Sequence, residues 1–524
     1  MSQAGSAGDP RLAELIGSLS LATDAAAGLA METALRTCLL AVLLGRELRL
    51  PGQALSDIYY TGLLRFIGCT AYAHETAQAG AGDDQGLLRL LTPMDTASPR
   101  EVAGRIVLGA GRGAPFLRRA GAVGRLLSDP AMPRKLAAAH CEQAMALSTR
   151  LGMSPAVVEA LGQIYERFDG KGAPHKLRGD AISLPACVTF VAWRVVVQSS
   201  LESPVHAVEA VRRRSSEELD PQIAAAFLVR PAEFLTLACD GSVWEAFLDA
   251  EPGPVKRVRV EEIDGIADAF ARYVDLKSPF TLGHSTGVAR LAESAAEAAG
   301  LPSEERRALR VAALLHDLGR TSVPNGIWDK PGPLNAVEWE RVRLHAYQSE
   351  RILARSALLE PYARVAGTHH ERADGSGYHR GIGGTSTARP ARLLAAADTY
   401  QAMTEPRAYR PARAATDAAR LLSQAAREVR LDREAVEAVL AAAGQRAAGR
   451  VRGEWPASLS EREVVVLCLL ARGLSNKAIA AELTLSARTV QHHVEHVYAK
   501  AGVSTRAAAA LFAVENDLLQ KWAR

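Results

Sequence analysis

Cysteine is scarce in this chain, and signals for β-structure are scarcer. Six cysteines (Cys38, Cys69, Cys141, Cys187, Cys239 and Cys468) are spread over 524 residues, each in apolar surroundings and none in a CxxC pair. This excludes a disulfide framework and a CxxC metal or redox motif, and it implies buried thiols in a reducing compartment. Alternation of β-branched residues is rare while Ala and Leu dominate, so the chain reads as all-α. The apolar run Thr37–Gly45 is too short to span a bilayer. No secretory leader is visible, and the expectation is a cytoplasmic protein with no membrane partner. Gly109, Gly111 and Gly113 lack the strand–turn–helix setting of a nucleotide-binding fingerprint. No receiver-domain aspartate pocket or histidine-kinase pattern appears, so nothing supports phosphorylation as an input. The net charge is only +4, and any affinity for nucleic acid must come from a local patch.

A hydrophobic content of 48% is ample for buried cores, and the length suits about three domains. Boundaries fall at Ala250–Arg259, rich in proline and charge, and at Gly444–Ser458, glycine-rich and basic. The division is then 1–250, 260–440, a linker over 441–456, and 457–524. Within the second segment, His284, the pair His316-Asp317, His345, the doublet His369-His370 and Asp398 recur at helix-scale intervals, each on or beside an apolar helical stretch. Imidazole and carboxylate together suit iron, manganese, nickel or zinc. Seven such groups are too many for one tetrahedral ion. They fit two ions sharing a bridging carboxylate, the arrangement that activates water against a phosphodiester. Any one of these histidines alone reads as a polar residue on a helix face; the set does not.

Leu315-His316-Asp317-Leu318-Gly319 resembles the HD motif of the HD-domain phosphohydrolases, and His369-His370-Glu371-Arg372-Ala373-Asp374-Gly375-Ser376-Gly377-Tyr378 resembles the second signature of the HD-GYP subfamily. The likeness runs from about Val274 to Leu440. It implies an all-α domain that hydrolyses cyclic di-GMP with two divalent ions, iron or manganese foremost, nickel or zinc otherwise. By it, His284, His316, Asp317 and Asp398 hold one metal, Asp317 bridges, and His345, His369 and His370 complete the other. Phe280 stands one helical turn before His284, where three-metal members carry an acidic ligand, so two ions are expected. The resemblance makes Asp317 and Arg320 catalytic, and Lys330, Gly377, Tyr378, Arg407 and Arg410 substrate-binding. Two departures stand out. Arg320 replaces a lysine, keeping the charge and forking onto phosphate but giving up proton donation. His379 replaces the proline of the GYP triplet, which is expected to loosen that loop.

At the C-terminal end, Ser460 and Glu463 form a capping-box pattern ahead of Val464, Leu467 and Leu470 at helical spacing. Short helices follow after Ser475 and Ser486, with a fourth from Thr505 to about Leu518. Two helices joined by a tight turn read as a helix-turn-helix. The strings Arg472-Gly473-Leu474-Ser475-Asn476-Lys477-Ala478-Ile479-Ala480 and Leu485-Ser486-Ala487-Arg488-Thr489-Val490-Gln491-His492-His493-Val494 resemble the DNA-binding domain of the LuxR family. That likeness puts helix Ala487–Ala501 in the major groove of double-stranded DNA. Gln491, His492 and Glu495 then face bases, and Lys477, Ser486, Arg488, Thr489, Lys500 and Arg506 face phosphates. A homodimer is expected, because such modules read paired half-sites.

The first segment repeats the second. Glu166-Arg167-Phe168-Asp169-Gly170-Lys171-Gly172-Ala173-Pro174 parallels Glu371 to His379, and Leu219-Asp220 parallels Leu431-Asp432. The metal-ligand positions are emptied. His284 meets Thr33, His316-Asp317 meet Arg65-Phe66, His369-His370 meet Ile164-Tyr165, and Asp398 meets Trp193; only His345 meets a histidine, His140. The first half carries extra sequence at about Tyr72–Ala131. The alternative is an unrelated helical sensor. Taken together, the expectation is two tandem HD-type helical domains and a four-helix LuxR-type module. Such a chain is a phosphodiesterase coupled to transcription, a nucleotide-sensing regulator with little turnover, or a phosphohydrolase of another nucleotide.

Overall fold

The computed structural model describes residues 9–129, 131–239, 241–383, 386–445, 456–516 and 518. Among these the fold is helical throughout, with no β-strand and only isolated bridges. Local chemistry sets many helix starts. The side chains of Ser154, Asp220, Asn335, Asp432 and Ser486 each accept a backbone N–H from the first turn of the helix they precede. Pro155, Pro204 and Pro221 occupy first-turn positions, where a missing N–H costs nothing.

Residues 1–445 form one compact unit and 446–524 a second. Inside the first unit, local arrangements of the earlier segment recur in the later one. Glu32 and Gly283 both hold left-handed φ (74° and 76°) immediately before the helices Thr33–Glu47 and His284–Ala298. Asp24 accepts from Ala34 N at 3.0 Å, as Asp275 does from Ser285 N at 3.0 Å. A Cβ on Gly68 would lie 2.0 Å from the His140 carbonyl oxygen, and one on Gly319 would lie 2.0 Å from that of His345. Glu166 clamps a loop by accepting from His175 N (2.6 Å) and Leu177 N (2.9 Å); Glu371 does the same with Arg380 N (3.1 Å) and Ile382 N (3.0 Å). The sequence offsets between these pairs change once, across the first half's additional helices between Ala73 and Ser128.

The expected boundary at 250–259 does not separate the two halves into independent bodies. Helix Leu12–Ala26 is buried at every position except Glu14 and Ala25, as a helix enclosed on all sides must be. It packs on helices of its own half and on helix Ala336–Leu353 of the other. Ser356 Oγ donates to Glu14 (2.8 Å), and Thr70 Oγ1 donates to the Tyr273 carbonyl (2.6 Å). Lys277 and Asp84, 3% and 1% exposed, form an ion pair across the halves at 2.8 Å. Asp84 also accepts from Asn325 N (2.7 Å), and the Gly82 carbonyl accepts from Gly326 N (2.9 Å). Helix Leu184–Leu201 is long and apolar enough to cross a membrane, but 72% of it is buried, and Phe190, Val191 and Val195 place it in the core of the first half.

In the second unit, helices Glu461–Ala471, Asn476–Glu482, Ala487–Ala501 and Arg506–Glu515 enclose Val464, Leu467, Ile479, Val490, Val494 and Val497. Positions 446–455 of the expected linker, and 517 and 519–524 of the last segment, lie outside the described residues.

Removing one partner of an enclosed ion pair strands the other charge, so Lys277→Met should cost about 3–5 kcal/mol in urea unfolding. Asp84→Asn in the same chain should restore some of it. A loss below about 1 kcal/mol would mean that the other contacts hold the halves together without this pair.

Candidate metal centre and nucleic-acid interface

Helix ends deliver the seven expected ligands to one place. His284 opens helix His284–Ala298, His316-Asp317 follow Ser303–Leu315, and His369-His370 follow Glu360–Gly367. His345 and Asp398 project from within Ala336–Leu353 and Arg389–Thr404. All are buried except His370, which is partly exposed.

Asp317 divides the cluster. Its Oδ2 lies 3.8 Å from His284 Nε2 and 3.6 Å from His316 Nε2, while its Oδ1 lies 3.3 Å from His345 Nε2 and 3.8 Å from His369 Nε2. Asp398 also faces both ways: Oδ1 is 3.2 Å from His284 Nε2 and Oδ2 is 3.8 Å from His370 Nδ1. Ligand bonds of about 2.0–2.2 Å give polyhedron edges of roughly 3.0–3.6 Å, so the spacing suits cations between these atoms. His316, His345 and His369 each donate Nδ1–H to the carbonyl three residues earlier, which fixes the tautomer and leaves Nε2 as a lone pair pointing inward. His345 Nε2 and His369 Nε2 face each other at 3.2 Å. His316 Nε2 and His370 Nδ1 are buried without a hydrogen-bond partner. Inward lone pairs with nothing to bind fit a divalent metal.

The charges agree. Burial lowers His369 to about 3 and holds His370 well below the usual imidazole range, helped by neighbouring histidines. Burial opposes ionising Asp317 and Asp398, yet the hydrogen bond from protonated His284 to Asp398, and the Arg320 guanidinium beside Asp317, hold both well below the usual carboxylate range. Burial likewise opposes protonating His284, but hydrogen bonds to Asp398 and Glu405 outweigh it and raise the pKa to about 10. Neutral imidazoles and ionised carboxylates are the forms that bind metal.

Glu405 was not legible in the sequence. Its Oε2 sits 2.8 Å from His284 Nδ1, orienting the ring from behind, and it pairs with Arg407 at 3.0 Å. Arg407 thereby lies at the centre's edge, its Nη1 donating to the Phe280 carbonyl. Arg320 Nη1 is 3.4 Å from Asp317 Oδ2. The Tyr378 ring stacks obliquely on His370 at 4.3 Å. Three other expected substrate groups are otherwise engaged. Arg410 donates to the carbonyls of Ala402, Met403, Glu405 and Pro411, bracing its own loop. Lys330 pairs with Glu338 at 2.6 Å. Gly377 is required by packing, since a Cβ there would lie 2.5 Å from Glu371 Cα. The loop that lost its proline stays tethered through Glu371, and His379 packs edge-on against Tyr347 at 5.6 Å.

In the second unit, Lys477, Arg488, Gln491, His492 and Glu495 are exposed, and the last four lie on helix Ala487–Ala501. Gln491 Nε2 donates to Glu495 Oε1 at 3.1 Å. Ser486 and Thr489 are joined by the helix cap, with hydroxyls 2.7 Å apart. Lys500 pairs with Glu463 at 2.7 Å. Arg506, partly buried, donates through Nη2 to the carbonyls of Leu470 and Leu474 at the end of helix Glu461–Ala471.

Residues 268–435 match the family described as "HD domain", and residues 457–513 match "Bacterial regulatory proteins, luxR family". The chain is 31% identical over 405 residues to 3'3'-cGAMP-specific phosphodiesterase 3 of Vibrio cholerae, a match covering 76% of this chain and 88% of that protein. It is 33% identical over 144 residues to the cyclic di-GMP phosphodiesterase response regulator RpfG of Xanthomonas campestris, covering 27% of this chain and 38% of that one. The crystal structure of a cyclic GMP-AMP specific phosphodiesterase from V. cholerae is similar with a TM-score of 0.57 and 26% identity, over 83% of this chain and 98% of that one. The chain belongs to the HD-GYP phosphodiesterases, metal-dependent phosphohydrolases, and carries a LuxR-family helix-turn-helix domain after its HD domain.

Proposed function

We propose that this chain hydrolyses a purine cyclic dinucleotide at a two-metal centre and binds DNA through its C-terminal domain. One observation carries the reading: the two oxygens of Asp317 face different histidine sets. His284, His316 and Asp398 would hold one ion and His345, His369 and His370 the other, with Asp317 placed between the two sets. When bound, the two cations, iron or manganese before nickel or zinc, lower the pKa of water and offset charge on the reacting phosphate. Glu405 orients His284, and Arg320 and Arg407 take phosphate oxygens. Arg320 holds its proton at neutral pH, so it stabilises charge and donates none. The relative that matches across both halves is named for 3'3'-cGAMP, which supports cyclic GMP-AMP as substrate. Cyclic di-GMP, expected from the sequence, is the second candidate, supported by relatives that match a smaller share of the chain. The LuxR-type unit reads DNA with Gln491, His492 and Glu495, anchored on phosphates by Lys477 and Arg488. Paired half-sites call for two copies, and we place the protein in the cytoplasm.

The deciding experiment incubates the manganese-loaded chain with cyclic GMP-AMP, cyclic di-GMP and a panel of other nucleotides. We expect a linear dinucleotide product, lost by a factor of about a thousand or more in His316→Ala. Nucleotide binding without any linear product would favour a sensing regulator instead.

His284 carries a proton at neutral pH in the metal-free site, its pKa being about 10. Ligation must remove that proton, so metal affinity should rise with pH across the neutral range, about ten-fold per unit for one proton. Calorimetry in buffers of different ionisation enthalpy reads the proton directly, and metal binding without proton release would contradict the assignment.

On DNA, Lys477→Ala should weaken binding evenly across sequences and flatten the salt dependence by about one ion, whereas Gln491→Ala should relax selectivity at one base pair. A selection experiment with a randomised duplex separates the two, and identical profiles would remove Gln491 from the reading face.

A further inference from the structure

We propose that Trp328 is the positioning residue that holds Arg320 beside the bridging carboxylate, in place to take a phosphate oxygen of the substrate. The inference rests on the reading of this centre as a phosphodiesterase site. The Arg320 guanidinium carbon lies 3.8 Å from the centre of the Trp328 ring. Trp328 Nε1 donates back to the Arg320 carbonyl at 3.2 Å, so the indole grips both ends of the same residue. The ring stands edge-on to His345 at 5.5 Å. Arg320 Nη1 is 3.4 Å from Asp317 Oδ2. Three groups thus share one contact chain: a carboxylate facing both histidine sets, a guanidinium beside it, and an aromatic face under the guanidinium.

The stack explains why arginine works here. A planar guanidinium lies flat on an indole and still presents N–H groups at its edge, which the compact ammonium of lysine does not do. Trp328 is itself held from outside the HD motif. It ends the short helix Asn325–Trp328, whose Asn325 N donates to Asp84 and Gly326 N to Gly82. The next residue, Asp329, lies 2.7 Å from His74 Nδ1 and accepts from Ser278 Oγ. The first half and the start of the second both fix the indole before any substrate arrives. This is the preorganisation a transition-state contact needs.

The test is a double-mutant cycle in the full manganese-loaded chain, with Trp328→Leu, Trp328→Phe, Arg320→Lys and the Trp328→Leu/Arg320→Lys combination. The substrates are cyclic GMP-AMP, cyclic di-GMP and a nitrophenyl phosphodiester. We expect Trp328→Leu to lower kcat/KM by roughly ten-fold with metal content unchanged. Trp328→Phe should recover most of the loss. In the R320K background, Trp328→Leu should add nothing further. The same cycle read as inorganic phosphate affinity by calorimetry needs no turnover. A wild-type chain that hydrolyses nothing would therefore overturn the enzymatic reading while this inference was still decided. Equal losses from Trp328→Leu in both backgrounds, a drop in bound metal, or no loss in either readout would overturn it.

Discussion

Asp317 is enclosed by protein, with Oδ2 turned toward His284 and His316 and Oδ1 toward His345 and His369. Gathering inward lone pairs and carboxylates in a buried space opposes folding, because His284 and Asp398 satisfy each other but His316 Nε2 and His370 Nδ1 have no hydrogen-bond partner. The surrounding helices must supply the restraint. They do so by holding each ring from behind, through a carbonyl three residues earlier for His316, His345 and His369 and through Glu405 for His284. Ser349 adds a second tie, accepting from Gly319 N and donating to the His316 carbonyl. The close approach that admits only glycine at position 319 sets helix Ala336–Leu353 against the turn after the HD pair. Bound cations would relieve an arrangement that the scaffold has already fixed.

Most of this arrangement could be read from the chain because it is local. The HD pair, the doublet His369-His370 and the capping residues sit within a few residues of the backbone geometry they determine. The helical period carried the fold class, and the parallel between Glu166 and Glu371 carried the repeat. What escaped depends on contacts between distant segments. Glu405 reaches His284 across 121 residues, and Asp84 meets Lys277 across 193. Nothing in the residues around Glu405 marks it as the one that backs a histidine. Arg410 and Arg506 show a related point. Guanidinium suits phosphate, yet carbonyls left unpaired at loop and helix ends suit it as well. Which carbonyls lie within reach depends on the folded backbone, 32 and 36 residues away for Arg506.

In the first half the positions that parallel the second half's histidines and aspartates are filled differently, and Arg65 shows how. It stands in the place of His316 and is 1% exposed, with none of its guanidinium nitrogens hydrogen-bonded. Rings surround it instead: Trp193 at 4.1 Å, Phe190 at 5.6 Å, Tyr165 at 5.8 Å and Phe66 at 6.0 Å. Burial lowers its pKa to about 10, so it remains a cation at neutral pH. Trp193, Tyr165 and Phe66 occupy the positions of Asp398, His370 and Asp317. Where the second half gathers carboxylates and imidazoles, the first half gathers aromatic faces around one organic cation. Each such contact returns about 0.5–2 kcal/mol, and several together offset some of the cost of a buried charge without hydrogen bonds. The first half is also tied to the site of the second, since Asp84 and Gly82 hold the loop that ends in Trp328. Loss of the first half would remove the backbone anchor of that loop and leave Lys277 as an unpaired buried charge.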